Sequence, residues 1–272
     1  MKITFVGGGN MGSALIAGLI RNGAKCGDIA VVEPDAAKRS GIGKDHGVRT
    51  FGEMNPESTD CEIVLLAVKP QQLREVASKL AGLLGKQLVI SIAAGIRSTD
   101  LSKWLGGYSR IVRVMPNTPA QISKGISALY AMPGVDSPGK AAAGIVLAAA
   151  GSTIWLEDEE KMDAFTALCG SGPAYVFYFL EAMLDAAAEM GFDPVDARKM
   201  VLETFSGSIA LASESVDDAG TLRQKVTSKG GTTERALLEM ERNDVKRHIV
   251  KAILAAEDRS REMGIELGRA PC

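Results

Sequence analysis

The sequence predicts an α/β chain: a doubly wound sheet over residues 1–157, then an all-helical region over 158–272. Three observations carry that expectation. A strand–glycine–helix junction opens the chain at Met1–Gly12. Apolar strand runs then alternate with helical patterns as far as Leu156, and from Glu157 onward there is no convincing strand.

At the junction, Ile3, Phe5 and Val6 form a short strand-forming run that stops at Gly7-Gly8-Gly9. A helical spacing of Leu15, Ile16, Leu19 and Ile20 begins within one turn and predicts a helix over Asn10–Asn22. Gly7, Gly9 and Gly12 satisfy G-x-G-x-x-G in the strand-to-helix context of a Rossmann-type dinucleotide site, with Gly8, Asn10 and Met11 inside the motif. Gly7 suits the tight turn, Gly9 the close approach of a pyrophosphate, and Gly12 the packing of helix on strand. An ordinary glycine-rich turn is the competing account, and the surrounding strand, helix and acidic residue weigh against it.

The next strand, Ile29–Val32, closes on Glu33, about twenty residues past the third glycine, where a ribose-binding carboxylate belongs. Such a carboxylate accepts from the 2′-hydroxyl of NAD and repels the 2′-phosphate of NADP. Lys38 and Arg39 follow closely and suit that phosphate, so NADH and NADPH both stay open. The continuous apolar run Glu62–Val68 reads as a parallel strand covered on both faces and ends at Lys69-Pro70. A helix over Gln71–Leu84 and a strand over Leu88–Ile92 follow, leading to Ala93-Ala94-Gly95. Ligands of open α/β sheets lie over the carboxyl ends of the strands. Gly7–Gly12, Glu33, Ala67, Val68, Lys69, Pro70, Ala93, Ala94 and Gly95 are therefore expected around one crevice. Further strands are predicted at Arg110–Val114, Ile126–Tyr130 and Thr153–Leu156, with a helix over Pro138–Ala149.

Helices are then predicted at Glu159–Leu168, Pro173–Met190, Pro194–Ser213, Ala219–Val226, Thr232–Arg242 and Val245–Met263, with Gly268–Cys272 as a loose tail. Pro173 and Pro194 suit first-turn positions and Gly191 a helix end. The helix from Pro173 is apolar nearly all round (Tyr175, Val176, Phe177, Phe179, Leu180, Met183, Leu184), so it must be buried on several sides. A homodimer through these helices accounts for that; a central core helix of a monomer is the alternative.

Composition narrows the function. A net charge of −2 gives no reason to expect nucleic acid or an anionic membrane as partner. Cys26, Cys61, Cys169 and Cys272 have no metal-ligand spacing, and with only His46 and His248 in the chain a metal site is not expected. Free thiols in a reducing compartment fit instead. The glycines cut the N-terminal apolar run short of a signal peptide, and Ala141–Ala150 is too short to span a bilayer, so a soluble, cytoplasmic protein is expected. No Ser/His/Asp or Cys/His arrangement is visible, and nucleophilic catalysis fits poorly.

Three segments suggest chemistry. Val114–Ala120 (VMPNTPA) reads as a rigid loop at the carboxyl edge of the sheet, or as a plain turn. Cys169–Tyr175 (CGSGPAY) reads as a glycine-broken loop whose amides suit an anion, or as close packing between helices. Val226–Glu234 (VTSKGGTTE) reads as a carboxylate cradle of Ser228, Thr232, Thr233 and exposed amides, or as a helix cap by Thr232 or Thr233.

Taken together, VGGGNMG at 6–12, AVKPQ at 67–71, MPNTPA at 115–120, GSGPAY at 170–175 and VTSKGGTT at 226–233 resemble the pyrroline-5-carboxylate reductases over nearly the whole chain. The family usually has proline where this chain has Lys229. The resemblance implies reduction of L-1-pyrroline-5-carboxylate to L-proline, the last step of proline biosynthesis, with NADPH more often than NADH. It implies that Ser228, Gly231, Thr232 and Thr233 hold the substrate carboxylate. Thr166, placed near the ring nitrogen, and Thr233 are the catalytic residues it implies; Glu214 helps stabilise the cationic nitrogen, and Asn55 joins the cofactor set. It further implies a homodimer through the helical domain, often built into larger rings. Two rivals remain. A β-hydroxyacid dehydrogenase needs a catalytic lysine, and neither Lys199 nor Lys225 sits in a matching motif; a nucleotide-binding sensor has no use for the cradle.

Overall fold

The computed structural model describes residues 1–269. It contains an eight-stranded sheet with order β3-β2-β1-β4-β5-β6-β7-β8, made of β1 (Ile3–Val6), β2 (Ile29–Val32), β3 (Arg49–Phe51), β4 (Ile63–Leu66), β5 (Leu88–Ser91), β6 (Ile111–Met115), β7 (Gly125–Ala131) and β8 (Gly151–Trp155). The chain forms two compact units, one of residues 1–171 with the segment from Ala256 onward, the other Gly172–Ala255.

In the first unit β1, β2, β4 and β5 are buried at every position, as a sheet covered on both faces requires. Alternate side chains divide between two cores. Ile3, Phe5, Ile63, Leu65 and Ile90 pack with Leu15 and Ile16 of α1 (Asn10–Arg21), Ile42 of α2 (Ala36–His46) and Val146 of α5 (Ser137–Ala148). Val6, Val64, Leu66 and Val89 pack with Leu73, Ala77 and Leu80 of α3 (Pro70–Ala81) and Leu101 of α4 (Ser98–Trp104).

One pairing departs from the doubly wound expectation: β7 runs antiparallel to β6. Only a short 3-10 turn, Thr118–Ile122, joins these strands, too little chain for the crossover that parallel pairing needs. The α5 crossover then makes β8 parallel to β7.

After β8 come α6 (Lys161–Phe165), a π-helical turn (Thr166–Gly170) and α7 (Gly172–Glu189). Cys169–Tyr175 is therefore not an open loop. The helix continues through it, and the Ser171 N–H donates to the Thr166 carbonyl at 2.8 Å. The second unit adds α8 (Pro194–Glu214), α9 (Ala219–Lys225), α10 (Thr232–Arg242) and the start of α11 (Val245–Arg269). The expected tail is likewise corrected: Gly268 and Arg269 close α11, and Ala270–Cys272 lie outside the described residues.

The last turns of α11 are bonded to the first unit. The Ser260 hydroxyl donates to Asp163 of α6 at 2.7 Å, and the other Asp163 oxygen pairs with Arg97 at 2.7 Å. Beside them Arg113 of β6 pairs with Glu159 at 2.9 Å, and Glu159 also accepts from the Ser98 amide and hydroxyl, both at 2.6 Å. Burial pulls the Arg113 pKa down, against the opposing pull of the Glu159 carboxylate. Asp163 is fully buried, so removing it strands Arg97. Asp163→Ala should cost about 3 kcal/mol, read as a lower urea midpoint with unchanged slope; a midpoint within error of the parent would show that the pair contributes nothing net.

Candidate functional site

The strand order reverses between β1 and β4, and the crevice opens beyond their carboxyl ends. There the Gly7 N–H donates to the Val32 carbonyl of β2 at 2.9 Å, and the Ala67 N–H to the Val6 carbonyl of β1 at 2.8 Å. Gly7 has φ +102°, and a Cβ on it would lie 2.8 Å from the Ala67 carbonyl oxygen. Nothing but glycine fits. A Cβ on Gly12 would sit 3.0 Å from the Gly7 carbonyl, so helix and turn pack in direct backbone contact. Gly9, by contrast, faces open space, with nothing within 4 Å. Gly9 is the N-cap of α1 and supplies no side-chain cap, so the first amides of the helix have no capping side chain. An uncapped helix N-terminus beside a bare glycine fits a pyrophosphate.

Glu33 is half-buried at the end of β2, its carboxylate fixed by the Gly8 and Asp35 amides, each at 3.1 Å. Asp35 caps α2 and accepts from the Ala37 and Lys38 amides; the Lys38 amide bond is the main reason its pKa lies below the usual carboxylate range. Two fixed carboxylates thus stand at the end of β2. Arg39 Nη1 donates to the carbonyls of Glu33 and Pro34 at 2.7 and 3.0 Å, clamping the β2–α2 turn, whereas Lys38 is exposed. The Asn55 oxygen accepts from the Ser58 amide at 2.7 Å and closes the turn before β4. Lys69 is the N-cap of α3, and Pro70 its first residue. After β5, Gly95 takes φ +75°, and a Cβ there would meet Leu267 of α11 at 3.0 Å.

Thr166 also belongs to the first unit, where it begins the π turn and donates its hydroxyl to the Met162 carbonyl at 2.7 Å. Its hydroxyl proton is thereby used, and Oγ1 retains lone pairs for an incoming N–H donor. Burial pushes the Cys169 thiol pKa up, which disfavours a thiolate nucleophile there. Asn117, to which sequence reasoning assigned no role, donates from Nδ2 to the Cys169 carbonyl at 3.1 Å and accepts from the Ile126 amide at 3.0 Å. Among the described residues no cluster of His, Cys, Asp or Glu is suited to a metal.

The second unit holds Glu214, Ser228, Gly231, Thr232 and Thr233. Neither threonine caps α10; its N-cap is Gly231, without a side-chain bond. The first-turn Glu234 instead reaches back to the Gly230 amide at 2.6 Å. Among the described residues, no bond within the protein engages the hydroxyls of Ser228, Thr232 or Thr233. Those hydroxyls and the start of α10 suit a small anion. Glu214 is exposed at the last residue of α8, and Lys229 is exposed in the loop. Lys225, one of the two lysines a rival reading needs, is paired with Asp217.

Fold and crevice define a Rossmann-type dinucleotide-binding protein with a helical second unit. Two family models match: "NADP oxidoreductase coenzyme F420-dependent" over residues 2–95, and "Pyrroline-5-carboxylate reductase dimerisation" over residues 159–263. The chain is 39% identical to the pyrroline-5-carboxylate reductase of Pseudomonas aeruginosa, covering 98% of both chains. It superposes on the solved Coxiella burnetii enzyme with a TM-score of 0.90 at 38% identity, covering 96% of this chain and 98% of that one. For the Plasmodium falciparum enzyme, solved with NADP bound, the TM-score is 0.87 at 30% identity, with 97% and 98% covered. The chain belongs to the pyrroline-5-carboxylate reductase family.

Glu33 is where the two nicotinamide cofactors should be told apart. Glu33→Gln keeps the size and an acceptor but removes the charge. Calorimetric titration should show the NADPH-to-NADH affinity ratio rising roughly fivefold in the variant; an unchanged ratio would place the 2′-position away from this carboxylate.

Proposed function

We propose that the chain reduces L-1-pyrroline-5-carboxylate to L-proline with NAD(P)H, as the closing step of proline biosynthesis in the cytoplasm. Supporting this are the family membership and one observation above all: a bare, uncapped glycine turn at the switch point of the sheet, in the same chain as an unengaged hydroxyl cradle at 228–233. Gly7–Gly12, Glu33, Asn55, Ala67–Pro70 and Ala93–Gly95 form the cofactor set, and residues 1–157 its domain. Residues 158–272 are the substrate-binding and dimerisation domain.

Bound NAD(P)H supplies the hydride. The chain's own work is to bind and orient. Ser228, Thr232 and Thr233 donate hydroxyls to the substrate carboxylate and so fix the ring for attack, while Gly231, whose amide donates to the Ser228 carbonyl at 3.0 Å, holds the turn that presents them. The imine nitrogen takes one proton from water before the hydride adds to carbon, because the cation is the better electrophile. Thr166 Oγ1 accepts the N–H of that cation, and Glu214 lends it negative charge.

The homodimer is part of the proposal. The stretch Lys161–Glu189 is long and apolar enough to cross a membrane, yet in the single chain Phe177 is 59% and Tyr178 71% exposed. A second copy of α7 and its neighbouring helices buries that surface, as the name of the matching dimerisation model suggests.

Loss of reduced-nicotinamide absorbance on adding the imine tests the proposal. Turnover is expected only with both substrates; cofactor binding without turnover would favour a sensor. Thr233→Val should raise KM for the imine roughly tenfold and leave cofactor affinity unchanged. Equal weakening of cofactor binding would remove Thr233 from the cradle.

A further inference from the structure

Of the sequence segments singled out above, MPNTPA and GSGPAY are left without a task by the proposed reaction. Asn117 of the first is half-buried just past β6 and spans two elements. One side of its amide accepts the Ile126 N–H at the start of β7; the other donates to the Cys169 carbonyl inside the π turn. That carbonyl has a particular need. In a continuing helix it accepts from the amide four residues on, and here that residue is Pro173, which has no N–H. Pro173 thus removes the α-helical donor of this carbonyl, and Asn117 supplies one from outside the helix. Met115 of the same segment fixes the other side of the turn, since a Cβ on Gly170 would lie 2.7 Å from its Cε.

We propose that Asn117 is a positioning residue: by capping the Cys169 carbonyl it sets the conformation of Thr166–Gly172, and through it the direction of the Thr166 hydroxyl. The inference rests on the proposed reaction only for the part Thr166 plays. MPNTPA and GSGPAY are on this account two halves of one device, with Asn117 in the first matched to Pro173 in the second. The π turn is the price of presenting Thr166 at a break in the helix, and such turns collect at functional sites.

Asn117→Asp separates the two bonds, because its carboxylate still accepts from Ile126 but no longer donates to Cys169. Turnover should fall about tenfold, with cofactor affinity by calorimetry within about twofold and the Ser171–Tyr175 amides exchanging faster with deuterium. Adding Pro173→Ala restores an N–H four residues beyond Cys169 and should recover about threefold of that loss. Parent-like turnover and exchange in Asn117→Asp would overturn the proposal and leave Asn117 as an anchor for β7. If that variant does not fold, the pair Asn117→Ala and Asn117→Ala with Pro173→Ala decides the matter, since absence of rescue overturns the Pro173 match. Should the parent chain not reduce the imine at all, the reaction fails while the exchange measurement still tests the coupling.

Discussion

The site depends on how closely β1 and β4 can deliver their chain ends to one point. Gly7 must turn with positive φ directly beneath the Ala67 carbonyl, where any side chain would collide. Two bonds fix that approach, Gly7 to Val32 and Ala67 to Val6, so three strand ends converge on one residue. The rest of the crevice follows. Gly12 can seat α1 against the turn, Gly9 is left bare in front of it, and the dipole of α1 is aimed into the gap. The fully buried parallel strands β1, β2, β4 and β5 give this point its rigidity.

A second constraint ties the end of the chain to its beginning. Arg97, Arg113, Glu159 and Asp163 form a nearly dry group whose charges cancel, and Ser98 and Ser260 use the remaining acceptor capacity. Buried charges at such density are tolerable only when each is paired and hydrogen-bonded. The cluster joins the β5–α4 loop, β6, α6 and α11, while Gly95 and Gly264 let the helix and the loop touch. Thr166 follows Asp163 by less than one turn, so the group that anchors α6 also anchors a residue assigned to the substrate.

Much of the fold was legible because burial on both faces writes itself as unbroken apolar runs. β2 was read from Ile29 to Val32 without error, and β1, β5, β6 and α10 to within a residue or two. What escaped was short or polar. β3 has three residues, α4 has seven, and α2 carries two glycines and one buried residue, Ile42. The reversal of β7 was hidden because direction follows from connection length, not from the strand's own residues. At the site, Gly170, Gly172 and Pro173 look like loop residues, and the π turn that accommodates them rests on a partner fifty residues away. The threonine cap failed for a local reason: Gly231 occupies the N-cap position, so Thr232 and Thr233 fall inside the first turn of α10. The five motifs and their order carried the family, whereas the pairing of Asn117 with the Cys169 carbonyl needed three dimensions.

The central claim is a hydride transfer from a cofactor seated at the glycine turn to the imine carbon of the substrate. Turnover with NADPH deuterated at the transferable position of nicotinamide C4, in ordinary water, tests it most directly. The product proline, read by mass spectrometry and NMR, should carry one deuterium at the ring carbon that was the imine carbon. Unlabelled proline, or label at any other carbon, would contradict the account.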